Sequence, residues 1–419
     1  MQKLVIRGER RISGEITLQG AKNSALALLA GCTLCSGEVK LNNCPALSDV
    51  YAACRILNKL GCSSKYQNGC SFVDAREMDC CAVPEDMMRE MRSSIVFLGA
   101  ILGRRGQCEL SFPGGCELGP RPIDMHLAAL EQMGARITEE YGVLCCTCPY
   151  GLHGAAINLG FPSVGATENI MLAAVLAKGE TVITNAAREP EITELGNFLN
   201  CCGARITGQG TSTVVISGVE KLHGCEYDVM PDRIAAATYM AAAAVTGGEL
   251  DIKGARPCDL EAVIPVFEQM NCNVFTYENR IFISCKKPLK AVRTIRTMPY
   301  PGFPTDAQAV VMAALTKAKG TSVVVENIFS SRYRHVDELV RMGANIKTEG
   351  KVAVVEGVKK LYGARVRAGD LRGGAALVLA GLGAAGETEV ENLCYIDRGY
   401  ENFESRLRSV GADISRIRC

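Results

Sequence analysis

The chain carries almost no net charge: 46 Lys and Arg residues balance 45 Asp and Glu, leaving +1 over 419 residues. That balance excludes a broad nucleic-acid footprint and an acidic tail, so any anion-binding function must come from a few placed side chains. Tryptophan is absent. No apolar run reaches 18 residues without a polar break, and the alanine-rich stretch Ile234 to Val245 is too short to span a bilayer. No secretory leader is legible, because Met1-Gln2-Lys3-Leu4-Val5-Ile6 is followed at once by Arg7, Glu9, Arg10 and Arg11. The expectation is a cytoplasmic protein with neither a membrane nor a nucleic-acid partner. Metal-type ligand pairs are also missing. His126, His153, His223 and His335 are scattered and read as packing or surface residues. Cys145-Cys146-Thr147-Cys148 has no second pair or histidine nearby.

What is plentiful is apolar residues (48%), glycine (43) and cysteine (21). With only 22% charged residues, a large core is expected and disorder is not. In a reducing compartment the cysteines do not read as a disulfide framework. Cys32, Cys35, Cys54 and Cys201 sit where a small apolar residue would serve. The length alone suggests two to three domains.

The chain repeats itself. Gly37, Gly106, Gly179, Gly247, Gly320 and Gly386 each close an apolar, helix-like run, at intervals of 69, 73, 68, 73 and 66 residues. A second marker follows each: Gly61, Gly134, Gly203, Asn271, Gly343 and Gly411. Each unit therefore reads as helix, strand, helix and strand pair. The first helix is expected from Ser24 to about Leu34, with Gly37 as its stop. The second is expected from Asp49 to Leu60, capped by Ser48 or Asp49, and Asn68-Gly69 signals a hairpin. A 70-residue unit is too small for a good core of its own. Three units per lobe are therefore expected, meeting near Met230-Pro231, with a ligand cleft between the lobes.

Aligning the units locates the chemistry. Fourteen residues before each first marker lie Asn23, Arg92, Gly165, Arg233, Asp306 and Arg372, all expected at helix starts. Such ends bind anions through unpaired N–H groups and the helix dipole. Asn, Asp and Thr there are ordinary caps. Lys22, Arg92, Arg233 and Arg372 oppose the dipole and need another reason, for which an anionic ligand is the expectation. The spacing between the two markers is 28 residues in the second unit and 23 to 25 in the others. The insertion falls in Ser111 to Pro122, a Gly- and Pro-rich loop holding Cys116 near Arg121. A thiol beside a cation on a loop able to close is a candidate reactive group. Gly381-Leu382-Gly383-Ala384-Ala385-Gly386 matches the dinucleotide fingerprint, but its expected place, after a helix and before a strand, is the reverse of what that fingerprint needs.

Gly20-Ala21-Lys22-Asn23, Pro113-Gly114-Gly115-Cys116 with Arg121-Pro122, Asn185 to Glu191, Pro231-Asp232-Arg233, Phe303-Pro304-Thr305-Asp306 and Ile396-Asp397-Arg398-Gly399-Tyr400 together resemble the enolpyruvyl transferases, specifically those acting on UDP-N-acetylglucosamine. The motifs recur in order along the whole chain. The resemblance implies a two-lobed inside-out α/β barrel of six repeats, three per lobe. Residues 22–230 would form the lobe carrying the Cys116 loop, and 1–21 with 231–419 the other. The implied reaction moves the enolpyruvyl group of phosphoenolpyruvate to the 3′-hydroxyl of UDP-N-acetylglucosamine, releasing phosphate, as the first committed step of peptidoglycan precursor synthesis. Cell-wall biogenesis, cell shape and division depend on that step. No metal or organic cofactor is implied.

Lys22, Arg92, Arg121, Arg332, Arg372 and Arg398 would then bind phosphate and carboxylate. Asp306 would accept or orient the proton of the attacking hydroxyl, and Cys116 would act as general acid or assist product release. Lys22 and Arg398 complete the implied catalytic set. Arg121, Pro122, Ile123, Asp124, Met125, Ser163, Val164, Gly165, Thr305 and Ile328 would hold uracil and sugar. Asn23 would meet the sugar or the intermediate, and Asp370 belongs with the binding set. A shikimate 3-phosphate enolpyruvyl transferase shares the repeat but lacks this Cys-bearing loop. A non-catalytic UDP-sugar-binding paralogue is the rival of another class, and the complete set Lys22, Cys116, Asp306 and Arg398 speaks against it.

Overall fold

Six buried helices, one per repeat, carry the architecture. The computed structural model describes residues 2–111 and 123–418, without the side chain of Arg92. Its core helices are Lys22–Cys32, Phe97–Arg105, Val164–Ala174, Arg233–Thr246, Thr305–Leu315 and Leu371–Gly383. A helix that is apolar all round is stable only when surrounded. From Arg233 to Val245, and again from Arg372 to Gly383, every residue is buried. Five of the six start within one residue of the expected positions. The exception is Arg92, which opens a 3-10 turn, Arg92–Val96, leading into the Phe97 helix.

Around these helices lie six four-stranded sheets of one topology. The third repeat shows the pattern. Ala156–Asn158 runs parallel to Glu180–Thr184, which pairs antiparallel with Thr213–Ser217, which pairs antiparallel with Arg205–Thr207. The leading parallel strand of each sheet is absent from the sequence-based pattern. It spans only two to five residues, too few for a period to stand out. In two repeats it also comes from far along the chain. Glu226–Asp228 supplies it beside Glu38–Asn42, and Ser13–Thr17 supplies it beside Glu249–Lys253. Gln2–Arg7 fills the third place of the last sheet, between Glu387–Glu391 and Asp413–Arg418.

Two further expectations need correction. Gly37 does not stop the first helix. That helix ends at Cys32, and Thr33 continues in right-handed conformation. The next helix is Ser48–Lys59, preceded by Leu47 with no side-chain cap, so Ser48 and Asp49 sit inside its first turn. The second markers, by contrast, all take positive φ: Gly61, Gly134, Gly203, Gly343 and Gly411 at 90° to 99°, and Asn271 at 72°. Asn is one of the few side-chain-bearing residues that tolerates this region, which explains how it fills the fourth slot. Asn68 and Gly69 at 52° and 76° form the two-residue turn of a twisted hairpin. The Gly381 to Gly386 stretch straddles a helix end and precedes the strand Glu387–Glu391, the wrong order for a dinucleotide site.

The described chain forms two units, one of residues 20–230 and one of 2–19 with 231–418, each with its own hydrophobic core. In the second unit the Arg233, Thr305 and Leu371 helices pack on one another. Lys317 Nζ donates to Val245 O at 3.0 Å and to Gly383 O at 3.1 Å, tying together the ends of two of them. Helices inside and sheets outside make each unit an inside-out α/β barrel. No helix among the described residues is long and apolar enough to cross a membrane.

Candidate active site

A lysine at a helix start faces the positive end of the dipole and needs a compensating anion. Lys22 finds one in Asp49: Nζ lies 2.6 Å from Oδ2, with both side chains almost wholly buried. The sequence alone marks Asp49 as a candidate cap. A first-turn carboxylate on the next helix, facing the repeat's lysine, was the available signal. Asn23, one residue on, is exposed.

In the same unit, two of the expected binding segments come together. Ser163 caps the Val164 helix, accepting from Ala166 N at 3.3 Å. His126, on Asp124–Gln132, brings its Nδ1 within 2.9 Å of Asn169 Nδ2 on that helix. A Cβ on Gly165 would lie 3.1 Å from His126 Cε1, so glycine permits this approach. Ile123, Asp124 and Met125 thereby sit at a helix start beside Ser163, Val164 and Gly165. Burial lowers the His126 pKa to about 4, with Asp124 opposing, so the ring is neutral. Nearby, burial and then the carboxylates of Glu191 and Glu189 raise the Glu168 pKa to about 8.

The second unit holds a denser constellation. Asp306, in the first turn of its helix, is gripped by two guanidiniums. Arg332 Nη2 meets Oδ1 at 2.9 Å and also donates to Thr305 O at 2.9 Å. Arg372 reaches Oδ2 through Nε at 3.3 Å and Nη2 at 3.2 Å. Arg332 and Arg372 are each 3% exposed in their side chains, whereas Asp306 is 29% exposed. Two buried cations thus back a carboxylate that still reaches solvent. Asp370 caps the next helix, its Oδ1 accepting from Arg372 N and Gly373 N at 3.0 Å. Arg372 also lies 5.3 Å over the Tyr400 ring, whose hydroxyl is 2.9 Å from Thr238 Oγ1.

Ile328 is fixed by Glu326, a buried carboxylate missed in the sequence. Its Oε1 accepts from Ile328 N and Phe329 N, and its Oε2 from Thr305 Oγ1. Arg398 closes the turn Ile396–Arg398, which packs against the Leu371 helix. Arg233, the remaining helix-start cation, stands 5.7 Å over the Tyr300 ring. Cys116, Arg121 and Pro122 lie outside the described residues, as does the side chain of Arg92.

This geometry can be set beside known proteins. The family model of EPSP synthase (3-phosphoshikimate 1-carboxyvinyltransferase) matches residues 6–407. The chain belongs to this enolpyruvyl transferase family. Within it, a relative from Caldanaerobacter subterraneus subsp. tengcongensis named UDP-N-acetylglucosamine 1-carboxyvinyltransferase 2 is 52% identical over 417 residues, covering 100% of both chains. A UDP-N-acetylglucosamine 1-carboxyvinyltransferase from Zymomonas mobilis is 47% identical, again over 100% of both. Among solved structures, the enolpyruvyl transferase NikO from Streptomyces tendae matches with a TM-score of 0.90 at 24% identity, covering 99% of this chain and 98% of that one. An EPSP synthase from Acinetobacter baumannii matches at 0.76 and 21% over the full length of both. These two show the shared fold.

Proposed function

We propose that this enolpyruvyl transferase moves the enolpyruvyl group of phosphoenolpyruvate to the 3′-hydroxyl of UDP-N-acetylglucosamine, with release of phosphate. The observation that carries the reading is the Asp306 carboxylate held by Arg332 and Arg372, a base and two cations in one place. The choice of acceptor is supported by relatives of that name, 46–52% identical along the whole chain. Residues 22–230 and 1–21 with 231–419 act as its two lobes. The reaction belongs to peptidoglycan precursor synthesis in the cytoplasm.

Phosphoenolpyruvate brings a phosphate and a carboxylate, so it needs several cations. Arg332, Arg372 and Arg398, together with Lys22, Arg92 and Arg121, are the cations assigned to it. Asp49 holds Lys22 in a fixed position at 2.6 Å. The acceptor hydroxyl attacks C2 and passes its proton to Asp306. C3 gains a proton, giving a tetrahedral ketal phosphate. C3 then loses a proton as the C2–O bond to phosphate breaks, restoring the double bond. Cys116 delivers the proton to C3 or clears the product. Asn23 and the Ser163–Val164–Gly165, Ile123–Asp124–Met125, Pro122, Thr305, Ile328 and Asp370 positions orient the UDP-sugar.

The test is phosphate release from phosphoenolpyruvate with either UDP-N-acetylglucosamine or shikimate 3-phosphate as acceptor. Release with the UDP-sugar is expected. Release with shikimate 3-phosphate alone favours the other family activity, and UDP-sugar binding without release favours a non-catalytic role.

A further inference from the structure

Behind Asp306 lies a group of polar atoms that the mechanism leaves unused. Among the described residues, Arg332 Nε, His335 Nε2, Asp370 Oδ2 and Arg372 Nη1 are all buried and have no hydrogen-bond partner. The four side chains are linked. Arg332 and Arg372 grip Asp306 from two sides. His335 Nδ1 lies 3.2 Å from Arg332 O. A Cβ on Gly373 would meet Asp370 Oδ2 at 2.5 Å and His335 Cβ at 2.9 Å, so glycine lets Asp370 and His335 close in on the same helix start.

The hydrogen-bond chemistry of the four is complementary. A carbonyl oxygen only accepts, so His335 Nδ1 carries the proton toward Arg332 O and Nε2 of the neutral ring is an acceptor. Asp370 Oδ2 is a second acceptor, while the two guanidinium nitrogens are donors. One water molecule has two hydrogens to give and two lone pairs to receive. Buried polar atoms are costly to leave unpaired, the charged ones most of all, and ordered water is the usual partner for such groups.

We propose that His335 is a positioning residue of this site: together with Asp370 it holds a buried water that accepts from Arg332 Nε and Arg372 Nη1, and so fixes the two guanidiniums around Asp306. The inference deepens the enolpyruvyl-transfer reading and rests on it for its kinetic consequence. Burial lowers the His335 pKa to about 4 against the raising effect of Asp370, which keeps the ring neutral and Nε2 an acceptor at working pH. In the sequence His335 reads as a packing or surface residue.

Two variants separate positioning from packing. His335→Asn can keep a donor toward Arg332 O but loses the distal acceptor, whereas His335→Gln restores a polar group at the distal position. For the full chain turning over phosphoenolpyruvate with UDP-N-acetylglucosamine, His335→Asn should lower kcat about tenfold or more, as misplaced catalytic groups do. Its melting temperature and its KM for the UDP-sugar should stay near wild type. His335→Gln should recover kcat to within about threefold of wild type. Equal kcat in wild type and His335→Asn, or losses that simply follow the melting temperature, would overturn the proposal. A crystal structure of the wild-type chain supplies a readout independent of activity. A water within hydrogen-bond reach of both His335 Nε2 and Asp370 Oδ2 is expected, and a dry space there overturns the proposal. Should the wild type fail to release phosphate, the functional reading fails, and the inference stands or falls on that water alone.

Discussion

Lys22, Arg332 and Arg372 show how single residues depart from what their local sequence favours. A buried cation is costly unless paired, and each of these three is paired with a carboxylate, Asp49 or Asp306. The cysteines divide by the same physics. Burial pushes the Cys62 and Cys146 thiols up to about 12 and Cys148 to about 11, while burial also raises Cys32 and Cys108 well above the ordinary thiol value. Such thiols are poor nucleophiles at neutral pH. An electrophilic phosphonate such as fosfomycin should therefore alkylate Cys116 first. Peptide mapping that finds exposed Cys394 or any other thiol modified ahead of it would reject the role given to the loop.

Glu168 supplies a pH test at the same scale. Its folded pKa, about 8, is raised above the ordinary glutamate value, so the folded chain keeps a proton that the unfolded chain releases. Stability should therefore fall as pH climbs from about 4.3 to 8. Glu168→Gln removes that dependence. Its melting temperature should match wild type near pH 4 and exceed it at pH 8. An equal gap at both values would show that Glu168 is not protonated in the fold.

At the scale of elements, the core helices were the most legible part of the chain. Their all-round apolar composition and repeat spacing located five of six starts to within a residue, and the second markers located the turns. The short leading strands were not legible. Two to five residues carry no measurable period, and two of the six strands are borrowed from distant sequence. Gly37 failed as a helix stop because a continuing turn, Thr33 to Cys35, already ends that helix. Lys317 offers a test of how the helix ends are held. Lys317→Met leaves the carbonyls of Val245 and Gly383 without their charged donor and should cost about 1–3 kcal/mol, read as a lower urea midpoint with an unchanged slope. No change would mean that water replaces the ammonium at no cost.

At the scale of the molecule, the near-neutral net charge conceals a concentrated arrangement of cations at helix starts. The site was readable where a repeat put a charged residue at a position that calls for a cap. It was not readable where one side chain serves another. Asp49, Glu326 and His335 touch Lys22, Ile328 and Arg332, and of the three only Asp49, a first-turn carboxylate on the next helix, left a signal in the sequence. The chain circles back on itself within each unit: residues 226–228 complete the sheet of residues 38–42, and the first two strands complete the sheets of residues 249–253 and 387–391.

The most direct measurement is analysis of the products when the chain is mixed with phosphoenolpyruvate and UDP-N-acetylglucosamine. The expected result is phosphate and a UDP-sugar bearing an enolpyruvyl ether on its 3′-oxygen, in equal amounts. Phosphate without that ether, or an ether formed only when shikimate 3-phosphate is the acceptor, would contradict the account.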